Sequence, residues 1–337
     1  MTASVIIAAA VAMAAAQPEG TRVTDPAHWA EVSADALTGV IGDNEPMGSH
    51  HRKRYNGVFA LATPALAESP FVPAYAGLNL EHYFDARARH EDDTVFFEPR
   101  HVPMALRRAG DNAVELYQAA TPFYGVESWT RFTVSAPHYI DMTYRCIPRK
   151  DGFVGGFMGV FWASYINAPA DKSIYFLQAG SSLEQPRWVQ YCTQVHGHAS
   201  TVVHETDTFS AEFGEGEGSL FEDFSPLRYA EPFYYGLFHD HVLIFIFERG
   251  PVVRFSHSPS GGGATPAGDD TNPAWDFQLV IPDPKVGSEY GLDMRVVYKP
   301  WKGRADVLSE VRNWLAGRAE AAGPGLAGPR SGRSISR

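Results

Sequence analysis

From residue 114 to residue 297 the chain alternates short runs of Val, Ile, Phe, Tyr, Trp and Thr with Gly, Pro and Asp punctuation. The segments 127–134, 138–146, 153–166, 173–178, 241–248 and 275–281 are the densest of these runs. β-branched and aromatic side chains suit a pleated, half-buried surface, and the residues between them supply turns. The pattern predicts an all-β protein, a large antiparallel β-sandwich, with most of its aromatics in the core. A helical period occurs near the end, where Val307, Leu308, Val311, Trp314 and Leu315 recur over 304–316 and Gly317 follows. One C-terminal helix packed on a sheet is expected there.

One hairpin can be laid out residue by residue. If 127–134 turns at Ala136 onto 138–145, Arg131 falls opposite Asp141 and Glu127 opposite Arg145. The same register sets Phe132 across from Ile140 and Thr130 across from Met142. Opposite charges on one face and apolar pairs on the other describe a half-exposed ladder, so these charges are read as structural. A long loop is expected at 258–272, where Gly, Pro and Asp cluster.

Residues 1–16 are read as a cleaved leader, an apolar run from Val5 ending in Ala14-x-Ala16 and too short to span a bilayer. This predicts export to the periplasm or beyond. Residues 17–317 read as one β-sandwich domain, and 318–337, rich in Gly, Pro, Ser and Arg, as a disordered tail. Cys146 and Cys192 are the two cysteines, each a small buried hydrophobe or half of a disulfide. The net charge is −11; the tail contributes Arg318, Arg330, Arg333 and Arg337 against Glu320, so residues 1–317 carry about −14. An acidic body without a basic stripe excludes nucleic acid as a partner and disfavours polyanions unless a local basic pocket intervenes. The cluster His50-His51-Arg52-Lys53-Arg54 is read as a solvated turn. No membrane-spanning segment, P-loop, dinucleotide fingerprint, nucleophile elbow or zinc-protease motif is present, so no cofactor is expected.

Four polar constellations could carry chemistry. His196-Gly197-His198 would place two imidazoles on one face if it were a strand, able to reach a substrate or a metal ion, or to sit as satisfied structural histidines. Arg254 and His257 lead into the loop at 258–272, beyond which Trp275, Asp276 and Gln278 follow. Trp275 should alternate away from Asp276 and Gln278, so only one set can line a site. Glu81-His82 pairs a carboxylate with an imidazole, a combination suited to splitting acid and base roles. On a regular strand the two would point opposite ways, and only an irregular backbone would join them. Glu231 and Tyr234, with His239 and His241, form the fourth group, in which tyrosine could stack on a sugar ring.

In its strand density, aromatic content and scattered His, Glu and Arg, the stretch from Leu78 to Pro300 resembles the galactose-mutarotase-like supersandwich proteins. That resemblance implies a supersandwich fold and a carbohydrate partner. It also implies a His and a Glu on the concave sheet as acid and base, here His196 or His198 with Glu81 or Glu231. Arg254, His257, Trp275, Asp276, Tyr234 and His82 would then contact substrate. The sequence thus reads as an exported enzyme acting on a glycan or sugar, with hydrolase, lyase and epimerase chemistry all open. The alternatives are a non-catalytic carbohydrate-binding or cell-surface structural protein and a metal-dependent β-sandwich enzyme. The latter needs three or four ligands converging near His196 and His198.

Overall fold

The computed structural model describes residues 27–87, 90–214 and 221–322; the leader read at 1–16 and the chain beyond 322 lie outside them. The described residues build three sheets. A small antiparallel sheet joins β1 (Trp29–Ala34), β2 (Leu37–Gly42) and β3 (Gly57–Ala62). In the six-stranded sheet, β4 (Asn79–Phe84) is one edge, followed by β9 (Phe157–Ala163), β17 (Ala274–Pro282), β16 (Val252–Ser258), β12 (Thr201–His204) and β13 (Phe224–Tyr229). Its pairs are antiparallel except β12 with β13.

The nine-stranded sheet is antiparallel throughout. It runs from β5 (Met104–Arg108) through β6 (Ala113–Gln118), β7 (Val126–Ser135) and β8 (Tyr139–Pro148) to β18 (Tyr290–Pro300). Beyond β18 it continues with β15 (His241–Phe247), β14 (Phe233–Phe238), β10 (Ile174–Leu177) and β11 (Trp188–Tyr191). Two short helices, α1 (Asp93–Phe96) and α2 (Glu98–His101), lie beside β4, and α3 (Arg304–Ala322) follows β18.

The two large sheets close on a common core, as a sandwich requires. Phe132, Met142, Tyr144, Phe245 and Phe247 from one meet Trp162, Phe255, Phe277 and Leu279 from the other. Tyr144 meets Trp162 edge-on at 4.8 Å between ring centroids, and Phe247 meets Phe277 at 4.9 Å. Trp275 enters the same core over Gly236, where a Cβ would lie 2.2 Å from the indole. α3 covers the opposite face of the nine-stranded sheet with Val307, Val311 and Trp314 on Ile244, Ile246 and Val297.

Three expectations are corrected. The β7–β8 hairpin pairs Phe132 with Met142, Arg131 with Thr143 and Thr133 with Asp141, a shift of two residues from the expected register. Both registers leave three residues in the turn; the observed hairpin closes Ser135 on Tyr139, so the turn is 136–138 rather than 135–137. Because the shift is even, every side chain keeps its face. Asp141 is met instead by Arg295 of β18 through two bonds of 2.7 and 2.8 Å, and Glu127 by Arg149. The second correction is that α3 runs to Ala322, and Arg318, expected in a disordered tail, bonds Glu248 at 3.2 Å and pairs with Asp293. Third, His51 is buried at 4 % exposure against Phe59, although its neighbours Arg52, Lys53 and Arg54 are solvated. Cys146 and Cys192 are both free thiols.

Candidate functional site

Of the faces of the sandwich, the outer face of the six-stranded sheet gathers the unusual polar residues. β4 explains why. Leu80 and Tyr83 both belong to the inner core, yet they are three apart, an odd spacing that strict alternation cannot satisfy. The strand resolves this with a β-bulge: Leu80 pairs with Trp162, His82 with Phe161 and Tyr83 with Val160, leaving Glu81 as the extra residue. Glu81 and His82 therefore both point outward, with His82 Nε2 4.0 Å from Glu81 Oε1.

Glu81 Oε1 accepts from Tyr165 Oη at 2.7 Å and from Arg100 Nη1 at 2.8 Å. Arg100 also donates from Nε to the Arg54 carbonyl at 3.0 Å, and its guanidinium lies 4.0 Å from the Tyr55 ring centroid. α2 is pinned to hold it there. The buried Glu98 carboxylate accepts from the backbone N–H groups of Phe123 and Tyr124, the latter at 3.0 Å. Carbonyls at the end of the helix are taken by Gln118, which reaches Pro99 and Val102 at 2.8 Å, and by Asn44, which reaches Val102 at 2.6 Å. These bonds replace intrahelical partners that so short a helix lacks.

His82 is ringed by Phe96, Phe97, Phe161 and Phe221 at 4.3 to 5.9 Å between centroids. Its Nδ1 lies 2.6 Å from the Phe96 carbonyl oxygen, which can only accept, so Nδ1 carries a proton and neutral His82 has its lone pair on Nε2.

On β17, Asp276 and Gln278 face outward while Trp275 and Phe277 face the core, which settles the alternation posed by the sequence. Asp276 Oδ1 accepts from Ser164 N at 2.9 Å, and Oδ2 is buried without a hydrogen bond among the described residues. Burial pushes the Asp276 carboxyl well above the usual range; the Ser164 N–H opposes this and the Glu81 charge adds to it. Gln278 Nε2 donates to Thr201 Oγ1 at 3.1 Å and Ser256 Oγ at 2.9 Å, extending a sealed polar row across β17, β16 and β12. At the rim, Tyr55, Tyr75 and Tyr165 form a triangle with centroid separations of 4.6, 5.0 and 5.7 Å. Burial raises the Tyr165 hydroxyl well above its ordinary pKa, with Glu81 reinforcing it, so Tyr165 stays a donor.

The remaining expected site residues do other work. His196 and His198 occupy an exposed turn before β12, not a strand, and share no strand face. Gly197 and Ala199 hold that turn with φ of +74° and +47°. His196 Nδ1 meets Ser258 Oγ at 2.7 Å and His198 Nδ1 lies 3.5 Å from Asp223. Arg254 is buried and committed, through Nε to Asp207 at 2.8 Å and Nη2 to the Phe209 carbonyl at 2.8 Å, so it secures the chain after β12. His257 is buried with Thr193 on Nδ1 and the Lys172 carbonyl on Nε2, and burial pushes it down to about 4. Tyr234 and Trp275 are core, and Glu231 pairs with Arg249. Thus Glu81, His82 and Asp276 share this face. Among the described residues no group of three His, Cys, Asp or Glu side chains is placed to hold a metal ion. Arg100 and Tyr165 are site residues beyond those expected from the sequence; Arg100 carries no periodic signal because its helix spans four residues.

No family model and no curated protein matches the sequence. Solved structures with a similar course include a candidate aldose 1-epimerase from Escherichia coli, 10 % identical with a TM-score of 0.48, covering 81 % of this chain and 99 % of that one. A galactose mutarotase-like protein from Lactobacillus casei is 9 % identical with a TM-score of 0.45, covering 80 % of this chain and 100 % of that one. A heparan sulfate lyase from Pedobacter heparinus is 10 % identical with a TM-score of 0.39, covering 80 % of this chain and 34 % of that one. No residue role is carried over from them.

Proposed function

We propose that the chain is an exported carbohydrate-active enzyme that exchanges protons with a sugar at the Glu81–His82 face. The observation that carries this reading is the bulge in β4, which sets a carboxylate and an imidazole on one face 4.0 Å apart. With Nδ1–H held by the Phe96 carbonyl, Nε2, 4.0 Å from Glu81 Oε1, is the His82 nitrogen through which a proton would be exchanged. Glu81 has Oε1 occupied by Arg100 and Tyr165, and Oε2 receives no hydrogen bond from the described residues. It can hold a sugar hydroxyl or take part in the transfer. Arg100 and Tyr165 fix the carboxylate in place. The half-buried Tyr55 and Tyr75 offer ring faces on which a pyranose can stack. The chemistry is carried by side chains and calls on no organic cofactor.

The test is turnover on a panel of neutral and acidic glycans, followed by product release and by anomer exchange. Glu81→Gln and His82→Gln should each lower turnover by about two to four orders of magnitude. His196→Ala and His198→Ala should leave it unchanged within a few-fold. Full turnover in folded Glu81→Gln would sink the assignment. Binding without turnover, weakened by Tyr75→Ala, would instead make this a carbohydrate-binding protein.

A further inference from the structure

The corner of the molecule that leads to Glu81 is positively charged, against the balance of the chain. Arg52, Lys53, Arg54 and Arg100 are gathered there, beside a His101 whose pKa burial and the two neighbouring arginines, Arg54 and Arg100, push down, while the whole sequence carries −11. Two of these charges are spoken for: Arg100 by Glu81 at 2.8 Å and Lys53 by Glu45 at 2.8 Å. Arg52 and Arg54 are exposed, and no carboxylate lies in ion-pair reach of either among the described residues. Arg52 is nonetheless placed. Its Nη1 donates to Tyr75 Oη at 3.3 Å and its guanidinium lies 5.3 Å from that ring's centroid. Tyr75 in turn packs on Tyr165, whose hydroxyl is on Glu81. The turn bearing the arginines is fixed as well: Arg54 sits at φ +81°, its N–H on the Asn44 carbonyl at 2.7 Å and its own carbonyl under Arg100. A non-glycine residue held in the left-handed region is strain that surrounding bonds must maintain.

Among the described residues, the two carboxyls at this face, Glu81 and Asp276, do not oppose an anion. Glu81 is neutralised by Arg100, and the Asp276 carboxyl is favoured in its protonated form by burial. A site with unpaired cations at its rim and, among the described residues, its carboxyls paired or protonated draws anions even on an acidic protein.

Resting on the sugar-site reading above, we infer that the saccharide taken at this face bears an anionic substituent, a carboxylate or a sulfate, received by Arg52 beside the Tyr75 ring. Guanidinium groups suit both anions, since their planar donor fork matches two oxygens at once.

The experiment measures binding by calorimetry with matched probes: oligogalacturonate against its methyl ester for carboxylate, and heparan sulfate oligosaccharide against its desulfated form for sulfate. The charged member of at least one pair should bind about tenfold tighter or more at low salt. Which pair responds identifies the anion. The preference should shrink with added salt, and Arg52→Gln should reduce it to within about twofold while melting stays unchanged. Equal or tighter binding of the neutral members, lost in Glu81→Gln, would overturn the inference and leave the sugar site standing. Retention of the charged preference in Arg52→Gln would also overturn it. Failure of every probe to bind would remove both readings together.

Discussion

Glu81 and His82 are neighbours in the chain and neighbours in space, projecting from one face of the six-stranded sheet with Nε2 and Oε1 4.0 Å apart. A regular strand would place them on opposite faces. The bulge that unites them follows from Leu80 and Tyr83, which both enter the core from an odd spacing. Core packing on one side of β4 thus fixes the polar geometry on the other.

This relationship predicts the outcome of a deletion. Removing Glu81 leaves Leu80-His82-Tyr83-Phe84, which alternates in, out, in, out without a bulge. Combined with Arg100→Met, to avoid an unpaired buried cation, the deletion should give a folded protein with its core intact. It should also abolish turnover while His82 still faces outward. Near-ultraviolet dichroism and melting report the fold, and a glycan assay reports the loss; wild-type turnover in this variant would show that the bulge is only a packing device.

The Glu81–Arg100 pair should be energetically coupled. Both side chains are close to fully buried, at 8 % and 12 % exposure. Arg100→Met alone strands a buried carboxylate and should cost about 3–5 kcal/mol, whereas Glu81→Leu with Arg100→Met should cost clearly less than the two singles added. Urea denaturation of the four proteins measures the coupling. Simple additivity would mean that solvent, not Arg100, balances Glu81.

Two buried histidines should make the protein sensitive to mild acid. His51 is pushed down to about 4 by burial, and His257 to about 4 by burial, against the opposing pull of the Lys172 carbonyl. In the unfolded chain both titrate near 6.5 and bind protons first. Stability is therefore present above pH 6.5 and is lost as pH falls toward 4, by up to about 3 kcal/mol for each group. His51 stacks on Phe59 at 3.6 Å, with neither ring nitrogen hydrogen-bonded among the described residues. His51→Phe should keep that packing, remove its share of the acid loss and raise the melting temperature at pH 5 relative to wild type. An unchanged pH profile would show that His51 is not buried in solution. Glu310 acts in a lower window: burial pushes it up, but bonds from His138, Lys299 and Tyr139 hold it at about 2, so its contribution is lost between about pH 4.5 and 2.

Much of this architecture is legible in the sequence, because alternation and turn residues report burial directly. The strands around 127–146, 241–248 and 275–281 and the C-terminal helix are found where the pattern puts them, and the side-chain faces of β7 and β8 hold despite the shifted register. The site is less legible for three physical reasons. A bulge breaks the period on which face assignment depends, and alternation alone sends Glu81 and His82 to opposite faces. The short helix that carries Arg100 is held by Glu98, Asn44 and Gln118 rather than by a hydrophobic period. And long-range partners are invisible locally: Asp207, which holds Arg254, lies 47 residues away in the chain, and His196 and His198 share a strand face only if residues around Gly197 are extended, which its φ of +74° excludes.

Asp276 supplies the last prediction. Its Oδ1 accepts from Ser164 N at 2.9 Å, its Oδ2 is buried without a partner among the described residues, and burial raises its pKa well above 3.8. An unfolded chain would ionise this carboxyl near 3.8, so the folded state holds the proton to higher pH. The sign follows: stability is fully present below 3.8 and declines as pH rises toward the folded value. Asn is nearly isosteric with the protonated acid, keeps an oxygen for Ser164 and cannot ionise. Asp276→Asn should therefore melt higher than wild type at pH 7, with the difference closing as pH falls toward 3.8. Asp276→Ala should melt lower at both, because it leaves a void and an unpaired Ser164 N–H. If Asp276→Asn melted lower than wild type at pH 7, the carboxyl would be ionised in the folded protein. A cation absent from the described residues would then have to balance it.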